Sequence, residues 1–146
     1  MHSVKRFIIA TKILLPIILV SFISTSCSED NTTQPPPSSN APLARLSDIQ
    51  AKVFNTSCAT ANCHASGSAQ AGLVLSEGQS YANLINVNSV LFPGNKRVDE
   101  GNSSESVLVQ MLTGQRTPRM PYNLSPLSQA VIDSIKKWID DGALNN

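Results

Sequence analysis

Histidine is close to absent from this chain. His2 and His64 are its two copies in 146 residues, beside three cysteines, Cys27, Cys58 and Cys63. A structural zinc site takes four ligands, and Cys58, Cys63 and His64 supply one too few. The eleven basic and ten acidic residues form no clustered basic face, which removes the electrostatic footprint of a nucleic-acid binder. The apolar run Ile13 to Ile23 is broken by Pro16 and Ser21 and falls short of the roughly 20 residues of a membrane span. There is no internal repeat. Strand signals are thin: Leu73-Val74-Leu75 is a short apolar run that reads as one strand or as a packed loop.

The amino terminus carries the first positive signal. Lys5, Arg6 and Lys12 stand ahead of the apolar run, and Ser24, Thr25 and Ser26 follow it, directly before Cys27. That order predicts a secretory signal peptide over residues 1–26. A Cys after small residues resembles the bacterial lipoprotein cleavage site, where the Cys becomes the lipidated first residue. Ser24 occupies a place where such sites more often hold an aliphatic residue. Ordinary signal-peptidase cleavage would leave Cys27 a free thiol instead. Ser28-Glu29-Asp30 resembles the acidic export tag of surface lipoproteins. The expected location is therefore outside the cytoplasm, lipid-anchored to a bacterial membrane, on its periplasmic side or at the cell surface. Removal of residues 1–26 takes Lys5, Arg6, Lys12 and His2 away. Eight basic residues then face ten acidic ones, for a net charge of −2, and His64 is the sole histidine.

Residues 27–42 hold the lipidated Cys and a Pro/Ser-rich tether around Pro35-Pro36-Pro37. At ~3.1 Å per residue where it is polyproline-like, its reach is about 40 Å. The folded domain is expected over residues 43–146, all-α, with four short helices. The first spans about Ser47 to Thr56, capped by Ser47, with Leu46, Ile49, Val53 and Phe54 on one side. The second covers about Ser80 to Asn86. The third starts at Asn102-Ser103-Ser104-Glu105, which has capping-box spacing, and ends at Gly114. The fourth has Ser125 as cap, Pro126 in the first helical position and Gly142 as its end. It aligns Leu127, Val131, Ile135 and Trp138 on one face, flanked by Ile132 and Ile139. The intervening segments, Ala65 to Gln79 and Val87 to Gly101, are long for so small a domain, and long loops usually enclose or do something. Four short helices make a thin core, which a large apolar cofactor would fill.

The chemistry-bearing stretch is Cys58-Ala59-Thr60-Ala61-Asn62-Cys63-His64. Cys-x-x-Cys-His is the common c-type haem-attachment run; here the gap holds four residues. Two thiols can form thioethers to the haem vinyl groups, and the adjacent His can reach the iron as proximal ligand. The two extra residues can loop out without moving His64 from its place beside Cys63. The rival is a small disulfide loop between Cys58 and Cys63. A loop of four intervening residues restricts the unfolded chain little, and it gives no reason for the His. With His64 used, a bis-His iron site is impossible in the processed chain. Two methionines remain after the signal. Met111 falls on the apolar face of the third helix, where core packing is its expected role. Met120 lies in Thr117-Pro118-Arg119-Met120-Pro121-Tyr122, a loop whose prolines restrict the backbone. A thioether on such a loop can meet iron from the face opposite His64. Arg97, Arg116 and Arg119 are candidates to pair with haem propionates.

These residues carry a resemblance. The order runs Val53-Phe54 before the first Cys, the Cys…Cys-His run, then Arg97-Val98 and Gly101-Asn102-Ser103-Ser104-Glu105-Ser106-Val107-Leu108. Arg119-Met120-Pro121 follows, and the chain closes with Ile135-Lys136-Lys137-Trp138-Ile139-Asp140-Asp141-Gly142-Ala143. Residues 47–146 are in this respect similar to small monohaem c-type cytochrome domains of the planctomycete type. The resemblance implies a class I-like cytochrome c fold wrapped around one covalent haem c. It implies that Cys58 and Cys63 are the thioether residues, His64 the proximal and Met120 the distal iron ligand. It also implies crossed first and last helices, with Phe54 near Trp138. The function expected from it is a membrane-tethered carrier of single electrons for a redox partner protein, not an enzyme. Two alternatives stay open. One is a haem protein with an open or labile distal site, acting as sensor or peroxidase-like enzyme. The other is a haem-free secreted binding module with a Cys58–Cys63 disulfide.

Overall fold

The structure, a computed structural model, describes residues 41–146. The expected signal segment, Cys27 and most of the tether lie outside the described residues. Helix α1, Leu46–Ile49, runs without a break into a π-helical segment, Gln50–Cys58. There N–H groups bond five residues back instead of four. The last such bond joins the Ala59 N–H to the Phe54 carbonyl at 2.7 Å. Runs of this kind are rare and concentrate at functional sites. A 3₁₀ turn covers Gln70–Gly72, and α2 (Ser80–Leu84), α3 (Val107–Thr113) and α4 (Gln129–Asp140) follow. The described residues are all-α: they contain four helices and no strand, with single bridges between Ile85 and Val98 and between Asn88 and Lys96. Leu73-Val74-Leu75 is a packed loop.

The helices form where apolar spacing places them, but three of the expected caps are not used. α1 begins at Leu46 with Arg45 in the cap position, so Ser47 lies inside the helix. Its open N–H groups are met from the other end of the chain. The Asn146 side chain accepts from Leu46 N–H at 3.0 Å and the Asn146 carbonyl from Ser47 N–H at 2.8 Å. The Asn102/Glu105 capping box does not form; α3 starts at Val107 behind Ser106. Ser103 instead turns to α4, where its N–H and hydroxyl bond the two Asp140 carboxylate oxygens at 2.8 and 2.9 Å. Ser106 closes the turn, accepting from Asp99 N–H and donating to the Asn102 carbonyl. α4 starts after Ser128, three residues later than Ser125 and Pro126 suggest. The carboxyl ends of α3 and α4 agree with expectation. Gly114 closes α3 at φ 79°, and Gly142 follows α4 at φ 98°, positions where a Cβ is strained.

The core is small. Ile49, Phe54, Leu75, Leu84, Ile135, Trp138 and Ile139 are fully buried in one cluster. α3 packs on α4. α1 enters the cluster through Leu46 and Ile49, and its π continuation through Val53 and Phe54, which share it with Trp138. The Trp138 indole N–H donates to the Leu144 carbonyl at 2.9 Å, which ties the chain end to α4. Among the described residues no helix is long and apolar enough to cross a membrane.

Candidate functional site

A cavity of about 670 Å³ opens beside this core. That volume falls in the range of small-molecule and cofactor sites. The end of the π segment and the 58–64 loop form one wall, with Cys58, Cys63 and His64. α3 supplies Val107, Leu108, Met111 and Leu112. The loop after α3 supplies Pro118, Met120, Pro121, Tyr122 and Leu124, and Leu73, Leu75, Leu84, Val90 and Leu91 add further apolar lining. Cys58, Cys63, His64 and Met120, singled out from sequence, thus face one space. Cys27 lies outside the described residues.

The loop between the two cysteines is built to hold His64 still. Cys63 N–H bonds the Thr60 carbonyl, which closes a tight turn, and Asn62 takes φ 66°. Asn tolerates this left-handed conformation because its short side chain can bond locally. That turn lies within the four residues between the cysteines. His64 N–H then bonds the Cys58 carbonyl at 3.1 Å, and the His64 carbonyl accepts from Leu75 N–H at 2.7 Å. The ring is fixed as well, with Nδ1 3.2 Å from the Leu73 carbonyl. A carbonyl only accepts, so Nδ1 carries the proton and Nε2 keeps its lone pair. Metal-binding histidines are commonly oriented this way. Burial lowers the His64 pKa; the carbonyl bonds to Leu73 and Gln70 oppose that shift, and the Arg97 charge adds to it. The net shift favours the neutral ring, the form that binds metal.

The sequence does not signal what supports Leu75. Buried Gln50 donates to the Leu75 carbonyl at 2.8 Å and to Asn55 at 2.7 Å, and accepts from the Ser80 hydroxyl. One amide side chain therefore joins the π segment, the His-supporting loop and α2.

The thiols are free and half-buried. Burial, with a smaller contribution from Cys63, pushes the Cys58 pKa up to about 12. Among the described residues no three His, Cys, Asp or Glu side chains are grouped to hold a metal ion by themselves. Cys58, Cys63 and His64 face the cavity side by side without converging on one ion.

Met120 is placed by Gly114. The left-handed glycine lets the following loop fold back, and a Cβ there would sit 3.3 Å from Arg119 Cδ. Arg119 crosses this point and donates to the Leu124 carbonyl at 2.8 Å. Met120 N–H reaches the Met111 carbonyl at 3.0 Å. Met111 is buried on α3, as its face predicts, and also lines the cavity. The peptide bonds before Pro118 and Pro121 are cis.

The three arginines separate. Arg116 lies 4.4 Å over the Phe92 ring and bonds Gln110 and Asn95. Arg119 is folded over Gly114. Arg97 alone of the three lines the cavity, and it is 8% exposed. No protein-family model, no curated protein and no solved structure matches this chain.

Proposed function

We propose that the chain is an exported c-type cytochrome that carries single electrons through one covalently held haem. The observation that carries this reading is the shared cavity: Cys58, Cys63, His64 and Met120 come from two separated segments and line the same apolar space. The donor set fits the group. Cys58 and Cys63 offer free thiols that add across vinyl groups, each S–H supplying sulfur to one carbon and hydrogen to the other. His64 offers Nε2, with Nδ1 bonded to the Leu73 carbonyl. Met120 offers a thioether from the loop folded onto α3. When bound, the group supplies a ferric/ferrous couple, with thioether ligation favouring the ferrous state. The chain's own part is to hold the imidazole neutral and oriented, to keep water off with Leu73, Leu75, Leu84 and Leu112, and to present an edge to a redox partner. In this reading Cys27 carries the lipid anchor and the tether confines the domain near its partner, raising its effective concentration.

The test is the full chain produced with haem-maturation machinery, read by intact mass and by optical spectra of both redox states. The expected result is one covalent haem, a c-type reduced spectrum and the far-red band of Met-to-ferric-iron ligation. Met120→Ala should lose that band and keep the covalent haem; Cys58→Ala with Cys63→Ala should lose covalent attachment. Covalent haem without the band in the unaltered chain would point to an open distal site and sensor or peroxidase-like chemistry. A colourless chain with Cys58 and Cys63 joined in a disulfide would overturn the cytochrome reading.

A further inference from the structure

We propose that Arg97 is the anion-recognising residue of the cavity and fixes the way round in which a carboxylate-bearing ring system is held. The inference rests on the cytochrome reading and names the residue that meets the acid side chains of the haem. Arg97 is a cation nine-tenths buried without a counter-charge. The ion pairs among the described residues use Arg45, Lys52, Lys96 and Lys137, never Arg97. The titratable side chains facing the cavity are Cys58, Cys63, His64, Arg97 and Tyr122, with no carboxylate among the described lining residues.

Its bonds go to neutral acceptors. Nη1 donates to the Asn83 carbonyl at 2.9 Å and Nη2 to the Ala71 carbonyl at 3.2 Å. These satisfy two of five N–H donors and leave the charge uncompensated, a costly state in a protein interior. The guanidinium is nevertheless held in place. A Cβ on Gly72 would come within 3.5 Å of Nη2 and 4.0 Å of Val90 Cγ2, so the group is confined between the 3₁₀ turn and the Val90 loop. The backbone is fixed on both sides, with Arg97 N–H on the Val87 carbonyl and the Arg97 carbonyl accepting from Leu108 N–H. A rigid fork with spare donors and an unmatched charge suits bidentate carboxylate recognition. Arg116 and Arg119 are committed elsewhere, to Phe92 with Gln110 and to the Leu124 carbonyl.

A carboxylate beside Arg97 stays ionised into mildly acidic solution. The midpoint potential of the holo chain should therefore vary little between pH 5 and 8. Arg97→Gln should bring that ionisation into the window, and the potential should fall as pH rises because the new negative charge favours ferric iron. Arg97→Lys keeps the charge and should fall between the two; Arg119→Gln should follow the unaltered chain. A profile for Arg97→Gln that coincides with the unaltered chain would overturn the assignment. Failure of the unaltered chain to bind haem would instead remove the cytochrome reading itself. Should Arg97→Gln yield no holoprotein, the reduced apo chain is titrated with haem and with haem dimethyl ester. At least tenfold preference for the diacid, diminished in Arg97→Lys, supports the assignment; equal affinity of the unaltered chain for both overturns it.

Discussion

At the residue scale the two thiols are unequal. Cys58 ends the π segment and packs against the core. Its pKa of about 12 leaves on the order of a thousandfold less thiolate at neutral pH than an ordinary cysteine carries. Disulfide exchange proceeds through the thiolate, so this environment slows disulfide formation and preserves the S–H that the proposed thioether formation would consume. In the reduced apo chain, Cys58 should be alkylated by iodoacetamide far more slowly than Cys63. Its rate should keep rising about tenfold per pH unit beyond pH 9, where ordinary thiols have levelled off. Peptide mass mapping over a pH series checks this, and equal rates for both cysteines would contradict it. Cys58, Cys63 and His64 could be singled out from spacing because they are neighbours in sequence, and the fold places all three on one cavity wall. Arg97 was not separable from Arg116 and Arg119 in that way. Its distinction is burial without a counter-charge, which exists only once the loop around Val87, the 3₁₀ turn and α3 have come together.

At the scale of elements, Gly114 couples helix termination to the placement of Met120 at the cavity. α3 must end sharply for the loop to return Met120 to the Met111 carbonyl. Gly114→Ala should destabilise the fold by about 1–2 kcal/mol, the cost of a Cβ in the left-handed region. Its second effect is specific: the 3.3 Å approach to Arg119 Cδ forces Arg119 and its bond to Leu124 to shift. Urea melts of the apo chain measure the first effect. Weakening of the Met–iron band in the holo chain measures the second, and a plain loss of stability with that band intact would show that the loop is placed by other contacts. The carboxyl ends of α3 and α4 were foreseeable because a left-handed glycine is a local signal. Amino ends were not. The α1 donors are met by Asn146, a hundred residues away from Leu46, and Ser103 is drawn off to Asp140. Long-range partners here outcompete the caps that the sequence offers. The π winding after Ile49 also has no signature in the spacing of Leu46, Ile49, Val53 and Phe54, which suits an ordinary helix equally well.

At the scale of the whole molecule, the described residues divide into a packed part and a part that encloses space. α3 on α4, with Phe54 and Trp138, makes the first. Residues 88–95 and 117–124 belong to the second. Val90, Leu91, Tyr122 and Leu124 are each more than half exposed there, yet line the mouth of the cavity. Apolar side chains at a rim gain little unless something apolar covers them. A ligand that binds only the folded chain adds stability by mass action, and it adds local stability where its contacts are. Amide exchange should reveal both effects. In the reduced apo chain, amides of residues 88–95 and 117–124 should exchange well ahead of those in Val107–Thr113 and Gln129–Asp140, because local opening of the rim leaves the α3–α4 core intact. Haem loading should slow the two rim segments by more than the change in global stability shown by α4. Equal slowing everywhere would mean that the rim is already part of the cooperative unit. No slowing at the rim, with haem attached, would place the bound group away from Tyr122 and Leu124 and would separate the cavity from the thiols that line it.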